Sequence, residues 1–249
     1  MLRPHLSRRA RRWTISVAVV LVLVLGAGYA LLRVADARTF QLFGGLTDRV
    51  DTTQKVVALT FDDGPDPAGV APVLATLAAR GVKATFFLIG SELQARPDLG
   101  REIAAAGHEL GNHTYSHERM VLVTPSHVAS EIERTDALIR GTGYRGEITV
   151  RPPNGKKLLA LPYYLHEHGR QTITWDVEPN SYPDIDASAT KTAEYVVSHV
   201  RPGSIVVLHT MYPGRAATRE ALGPAIDGLR ALGYRLVTVS QLLALRGTG

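Results

Sequence analysis

From Lys55 onward, short runs of β-branched and apolar residues alternate with stretches of helical period, and this alternation limits the fold more than any other feature of the chain. The strand-like runs are Val56 to Thr60, Ala84 to Ile89, His108 to Leu110, Ile148 to Arg151, Thr172 to Trp175, Ile205 to Leu208 and Arg235 to Val239. Between the first two, Val70, Val73, Leu74 and Leu77 follow the i, i+3, i+4, i+7 spacing of one helix face, and Gly81 stands where a C-terminal cap belongs. Thr124 and Pro125 open a second helical stretch through Val128, Ile132 and Ile139, as an N-cap followed by an N1 proline. Such alternation predicts an α/β domain with a parallel sheet whose seven units close, or nearly close, into a barrel. An open doubly wound sheet is the alternative.

The chain ahead of this domain has a different character. Trp13 to Leu32 contains no charged residue, and a helix of that length matches the roughly 30 Å core of a bilayer. A transmembrane helix is therefore expected over 13–32, after a basic tail over 1–12 and before a linker over 33–54 that leads into the domain at 55–249. Arg3, Arg8, Arg9, Arg11 and Arg12 precede the apolar run, which favours a cytoplasmic N-terminus and places the domain outside. A cleaved secretory signal is the alternative, since Gly28 and Ala30 offer small residues to a peptidase, and Ser7-Arg8-Arg9 also fits a twin-arginine leader. All three readings put the domain outside the cytoplasm.

Composition narrows the chemistry. The chain has no cysteine, so disulfides, cysteine nucleophiles and thiolate metal sites are excluded, and any metal must sit on His, Asp or Glu. The net charge of +5 comes from the N-terminus: six arginines and no acid lie in the first 33 residues, leaving 22 bases to face 23 acids. The domain thus has no overall attraction for nucleic acid.

In parallel α/β folds the loops that follow the strands converge on one face, where reactive groups collect. Asp62 and Asp63 follow the first run, His113 and His117 the third; Arg151 ends the fourth, Asp176 the fifth and His209 the sixth. His113 and His117 are spaced i, i+4, which on a helical turn stacks two imidazoles on one side. With Asp63 as a third ligand they would hold a divalent cation and leave one position open for water. Adjacent carboxylates repel unless neutralised, which a metal at Asp63 and the guanidinium of Arg151 at Asp62 would accomplish.

Five segments now stand in order: Thr60-Phe61-Asp62-Asp63-Gly64-Pro65, His113-Thr114-Tyr115-Ser116-His117, Arg151-Pro152-Pro153-Asn154-Gly155, Trp175-Asp176-Val177-Glu178-Pro179 and Leu208-His209. Together they resemble the motifs of the NodB-homology polysaccharide deacetylases, carbohydrate esterase family four. The resemblance implies a distorted (β/α)7 barrel and a metal-dependent hydrolase that removes N-acetyl groups from amino sugars of an extracytoplasmic polysaccharide. It implies Asp63, His113 and His117 as metal ligands, Asp62 as general base oriented by Arg151, and His209 as general acid. Zinc suits two imidazoles and a carboxylate, with cobalt, nickel and manganese as alternatives.

The backbone N–H of Asn154 would stabilise an oxyanion, and Trp175, Asp176, Tyr182 and Leu208 are candidate pocket residues. Two positions depart from the family pattern. Asn154 replaces an aromatic, and Ser181-Tyr182 stands where an Asp-Trp pair usually supplies the carboxylate that orients the acid; Asp176, Glu178 and Asp184 are the candidates for that role. An O-acetyl esterase would use the same residues, and a tethered glycan-binding protein would need no acid and base pair. No nucleotide cofactor is expected: Gly141 to Gly146 spells a dinucleotide fingerprint, but it follows a helix rather than a strand.

Overall fold

The structure, a computed structural model, describes residues 8–247. Residues 1–7 of the expected basic tail and residues 248–249 of the expected domain lie outside the described residues. A single helix, Arg8–Asp36, carries the apolar run and is long and apolar enough to cross a membrane. It is solvent-exposed along most of its length, and it meets the domain at its last turn, where Ala35 is buried.

Among the described residues seven short strands follow: β1 Leu46–Thr47, β2 Val56–Asp62, β3 Thr85–Leu88, β4 Glu109–Asn112, β5 Thr172–Ile173, β6 Ser204–His209 and β7 Arg235–Val237. All ladders are parallel. β2 is central: β6 lies along one edge, while β7 and then β3 share the other, and β4 pairs with β3. β1 pairs with β5 as a separate two-stranded piece. The expected strand at Ile148 to Arg151 is reduced to one residue, Val150, which bridges Asn112 on one side and Thr172 on the other. Pro152 and Pro153 explain this, because two residues without an N–H cannot extend a ladder.

β2 is buried on both faces, as a central parallel strand should be. Val57, Leu59 and Phe61 face outward into the helix layer with Val206, Leu208, Val70, Val73 and Leu77. Ala58 faces inward with Ile205, Val207, Phe87, Ile173 and Trp175. The two-residue period therefore places Thr60 and Asp62 on the inner face as well. Both sequence-predicted helices form. Pro67–Ala79 is capped by Asp66, whose carboxylate accepts from the Ala68 N–H at 2.9 Å, and Pro125–Gly141 by Thr124, which accepts from the His127 N–H at 3.2 Å.

Residues 33–54 are more than a tether. They contain β1, and the Ala35 carbonyl accepts from the Lys157 N–H at 3.2 Å, while the Arg38 carbonyl accepts from the Thr174 hydroxyl at 2.6 Å. Lys156 pairs with Asp36, and the Lys157 ammonium donates to the Ala37 carbonyl. These polar contacts leave no hydrophobic periodicity in the segment, which is why its pattern reads as irregular.

His108 opens a test of the packing. Its ring is buried, edge-on to Phe86 at 5.2 Å, and Nδ1 accepts the Ala84 N–H at 3.2 Å, so the neutral form is required. Burial, then the Lys83 charge, pushes its pKa down from 6.5 to about 4. The unfolded chain therefore binds a proton first as pH falls, and the His108 contribution is complete above about 6.5 and lost on the way to about 4. Melting curves at pH 7 and 4.5 should show a larger drop for the native protein than for His108→Leu; equal drops would mean that His108 does not carry this dependence.

Candidate active site

The inner face of β2 delivers Asp62 to the rim in register with His209 of β6. Asp62 is held by Arg151, which is completely buried and reaches across the interior from the end of the Val150 bridge. Arg151 Nη1 donates to Asp62 Oδ1 at 2.6 Å and to Thr60 Oγ1 at 2.7 Å, and Nη2 donates to the Thr174 carbonyl at 3.0 Å. The guanidinium lies against the Phe87 and Trp175 rings, 4.0 and 5.4 Å from their centroids. Burial alone pushes the Asp62 carboxyl up, but the Arg151 guanidinium, through its charge and its hydrogen bond, acts against this, and the carboxyl is held below the ordinary carboxylate range. With Oδ1 occupied, Oδ2 turns towards the neighbouring imidazole, 3.7 Å from His113 Nε2.

Asp63, His113 and His117 converge, with one ligand atom from each lying within 4.8 Å of the others. Asp63 Oδ1 is 3.4 Å from His117 Nε2 and 3.8 Å from His113 Nε2. These separations are close to the ~3.4 Å that tetrahedral ligands about 2.1 Å from one centre keep from each other. The same Oδ1 is buried and accepts no hydrogen bond among the described residues, an arrangement that a cation would satisfy. His113 Nδ1 contacts the Arg151 carbonyl at 2.8 Å, and since a carbonyl only accepts, the proton sits on Nδ1 and the Nε2 lone pair faces the cluster. Burial, opposed by Asp62 and Asp63, pushes His113 down towards the neutral form that a metal requires. The residues present fit a divalent cation.

The two histidines do not share a helical face as their spacing predicts. They lie on an irregular loop after β4, with Thr114 at φ 67° and His117 at φ 60°. With Asp63 (φ 77°) and Asn154 (φ 55°), these are the only non-glycine residues at positive φ among the described residues, and all four belong to this site. Such conformations cost on the order of 1–3 kcal/mol each and persist only where the surroundings enforce them. Glu131 does so here: its buried Oε2 accepts from the N–H groups of Tyr115 and Ser116, at 2.9 and 2.8 Å, and from the Ser116 hydroxyl at 2.9 Å. Its position on the buried face of Pro125–Gly141, between Val128 and Ile132, was the available clue.

A pocket of about 480 Å³ opens over these groups, lined in addition by Asn154, Trp175, Glu178, Asn180, Ser181, His209, Arg215, Asp36 and Arg38. The partner of His209 is neither Asp176, Glu178 nor Asp184. Asn180 Oδ1 lies 3.4 Å from His209 Nδ1 and accepts the His209 N–H at 3.0 Å. The Asn180 amide in turn donates to Asp186, whose other oxygen takes Arg215 at 2.5 Å. A carboxylate thus backs the imidazole through an intervening amide. Glu178 instead receives the Trp175 indole N–H at 3.0 Å and Arg38 at 2.9 Å, and Asp184 pairs with Lys191 at 3.5 Å.

Three expected pocket residues stand elsewhere. Asp176 accepts from the Ile205 N–H and the Ser204 hydroxyl, at 2.9 and 2.8 Å, at the opposite end of β6 from His209. Leu208 alternates to the outer face of β6 and packs in the helix layer. Tyr182 is half exposed and rests on Tyr195, 5.4 Å between ring centroids, without lining the pocket.

Zn²⁺ is expected to raise the melting temperature of the native chain and to leave that of Asp63→Ala unchanged. Glu131→Ala should weaken binding by about 10–100-fold, the range typical of lost support for metal ligands. A full shift in Asp63→Ala would place the ion elsewhere.

Residues 49–173 match the family model described as polysaccharide deacetylase. A peptidoglycan-N-acetylglucosamine deacetylase of Bacillus cereus is 33% identical over 204 residues, which cover 80% of this chain and 93% of that protein. The peptidoglycan-N-acetylmuramic acid deacetylase PdaC of Bacillus subtilis is 34% identical over 197 residues, 78% of this chain and 40% of the relative. Among solved structures, the Bc1960 peptidoglycan N-acetylglucosamine deacetylase, in complex with an N-hydroxybenzamide, superposes with a TM-score of 0.73 at 30% identity, covering 78% of this chain and 90% of that one. Sequence, fold and the converging aspartates and histidines together establish that this chain belongs to the polysaccharide deacetylase family of hydrolases.

Proposed function

We propose that this protein hydrolyses N-acetyl groups from N-acetylglucosamine-type residues of a peptidoglycan-like polysaccharide outside the cytoplasm, with a divalent metal, and that the Arg8–Asp36 helix anchors it in the membrane. The observation that carries the reading is Asp62, clamped by buried Arg151 directly beside the Asp63–His113–His117 cluster. Glycan binding alone needs no ionised base of this kind. The names of the relatives support an N-acetylated cell-wall glycan over an O-acetyl ester. Arg8, Arg9, Arg11 and Arg12 ahead of the apolar run support a cytoplasmic N-terminus. The parallel strands, with Val150 bridging both of its neighbours and Val177 bridging Val206, support the distorted (β/α)7 barrel.

Asp63, His113 and His117 would hold the ion, for which zinc is the best match to the donor set. When bound, it supplies Lewis acidity to an acetamide carbonyl and to the attacking water. Asp62 Oδ2 takes the proton from that water, and Arg151 keeps the carboxylate ionised and aimed. The Asn154 N–H, fixed after Pro152 and Pro153, serves the developing oxyanion. His209 delivers a proton to the departing amine, and Asn180 orients its ring. Acetate and a free amino sugar leave.

Asp62→Asn should lower kcat for acetate release from an N-acetylglucosamine oligomer by about 10²–10⁴-fold while leaving metal binding intact. Wild-type turnover in that variant would remove Asp62 from its role. Asn180→Asp sets a carboxylate directly against the His209 ring, which favours the protonated acid, so the alkaline limb of the kcat profile should move to higher pH. An unmoved limb would show that Asn180 does not orient the acid.

A further inference from the structure

A crevice of about 600 Å³ runs between the domain and its own N-terminal helix, walled by Val24, Leu25 and Leu32 on the helix and by Val121, Leu122 and Leu158 on the domain. Leu122 is 91% exposed, an extreme value for a leucine in a folded domain. It stands on a loop fixed at the helix base, because Met120 bridges Lys157 and the Lys157 N–H donates to the Ala35 carbonyl. Leu159, next in sequence to Leu158, and Tyr163, Phe40, Leu42 and Phe43 are each between 39% and 51% exposed, with Phe43 and Tyr163 in edge-on contact at 5.5 Å. Scattered exposed apolar residues need no explanation, but Val121, Leu122 and Leu158 sharing a crevice with an apolar helix do.

We infer that this collar seats the catalytic domain on the outer leaflet of the bilayer, with the Val121-Leu122 loop inserted among acyl chains beside the helix. The inference rests on the membrane-anchor reading above, and the helix itself identifies the occupant. Val24 to Leu32 is the outer part of the uncharged run, about 12 Å of helix at 1.5 Å per residue. If that run spans the membrane, whatever shares a crevice with those residues lies at the depth of hydrocarbon. Water is an unfavourable occupant there, and within the loop the Val121 N–H is already bonded to the Arg119 carbonyl at 2.9 Å. Tyr163 and Phe43 then fall at the level where aromatic side chains meet headgroups. The arrangement also fixes the pocket: Asp36 and Arg38, which line it, follow Leu32 by four and six residues, so its mouth opens beside the lipid surface.

The chain has no cysteine, so single cysteines can be labelled without background. Full-length protein carrying an environment-sensitive fluorophore at Val22→Cys, Leu122→Cys, Leu159→Cys or Arg235→Cys is reconstituted into phosphatidylglycerol/phosphatidylethanolamine vesicles, with and without acyl-chain spin labels. Val22 reports the helix, Leu122 and Leu159 the collar, and Arg235 the far end of the sheet from the pocket. Labels at Val22, Leu122 and Leu159 should lose most of their emission to the quencher, while the Arg235 label keeps its own. Quenching at Val22 but at neither collar position would overturn the docking and leave the anchor standing. Quenching at none of the four would overturn both. A collar label shielded from water yet untouched by the lipid quencher would assign the face to another protein surface and overturn the proposal.

Discussion

The site is organised around one ion pair that is almost wholly buried, Arg151 against Asp62. A buried charge pair contributes little net stability, but removing either partner typically costs about 3–5 kcal/mol because the other charge is left alone in a medium that solvates it poorly. The guanidinium is therefore held by a hydroxyl, two backbone carbonyls and two aromatic faces. Its backbone carbonyl, meanwhile, fixes the His113 tautomer. One residue, between the Val150 bridge and two prolines, thus holds both the Asp62 carboxylate and the His113 ring.

Around that pair the backbone departs from its ordinary conformations. Asp63, Thr114, His117 and Asn154 sit at positive φ, and Thr114 is β-branched, which makes the conformation more costly still. A loop held by Glu131 can aim two imidazoles at a carboxylate in a way that a regular helix would not, and the expense is borne by the helix and strands that position it. Function is concentrated where local preference is overridden.

Much of this was legible in the sequence. Aspartates at the end of a buried strand, a histidine pair after the third run, an arginine before two prolines and a histidine closing the sixth run were each readable because strand ends share one rim. The helices at Pro67–Ala79 and Pro125–Gly141 were legible through their caps. The misreadings have physical causes. An i, i+4 spacing says nothing of φ, so the His113–His117 loop read as a helical turn. Leu208 adjoins His209 in sequence, but the two-residue period of β6 sends adjacent side chains to opposite faces. Asn180 was invisible because its importance lies in Asp186, brought to it by the 3₁₀ turn and short helix between them, and residues 36–38 carry no periodicity that would reveal their contacts with Lys156, Lys157 and Thr174.

The proposed hydrolysis of an acetamide rests on a single cation at Asp63, His113 and His117 with Asp62 beside it. Its most direct test is to strip the protein of metal and add zinc back in increments while following acetate released from a defined N-acetylglucosamine oligomer. No release is expected from the stripped chain, followed by a rise that saturates at one equivalent of zinc per chain. Release that persists without metal, or that never appears on any N-acetylated glycan at full occupancy, would contradict it.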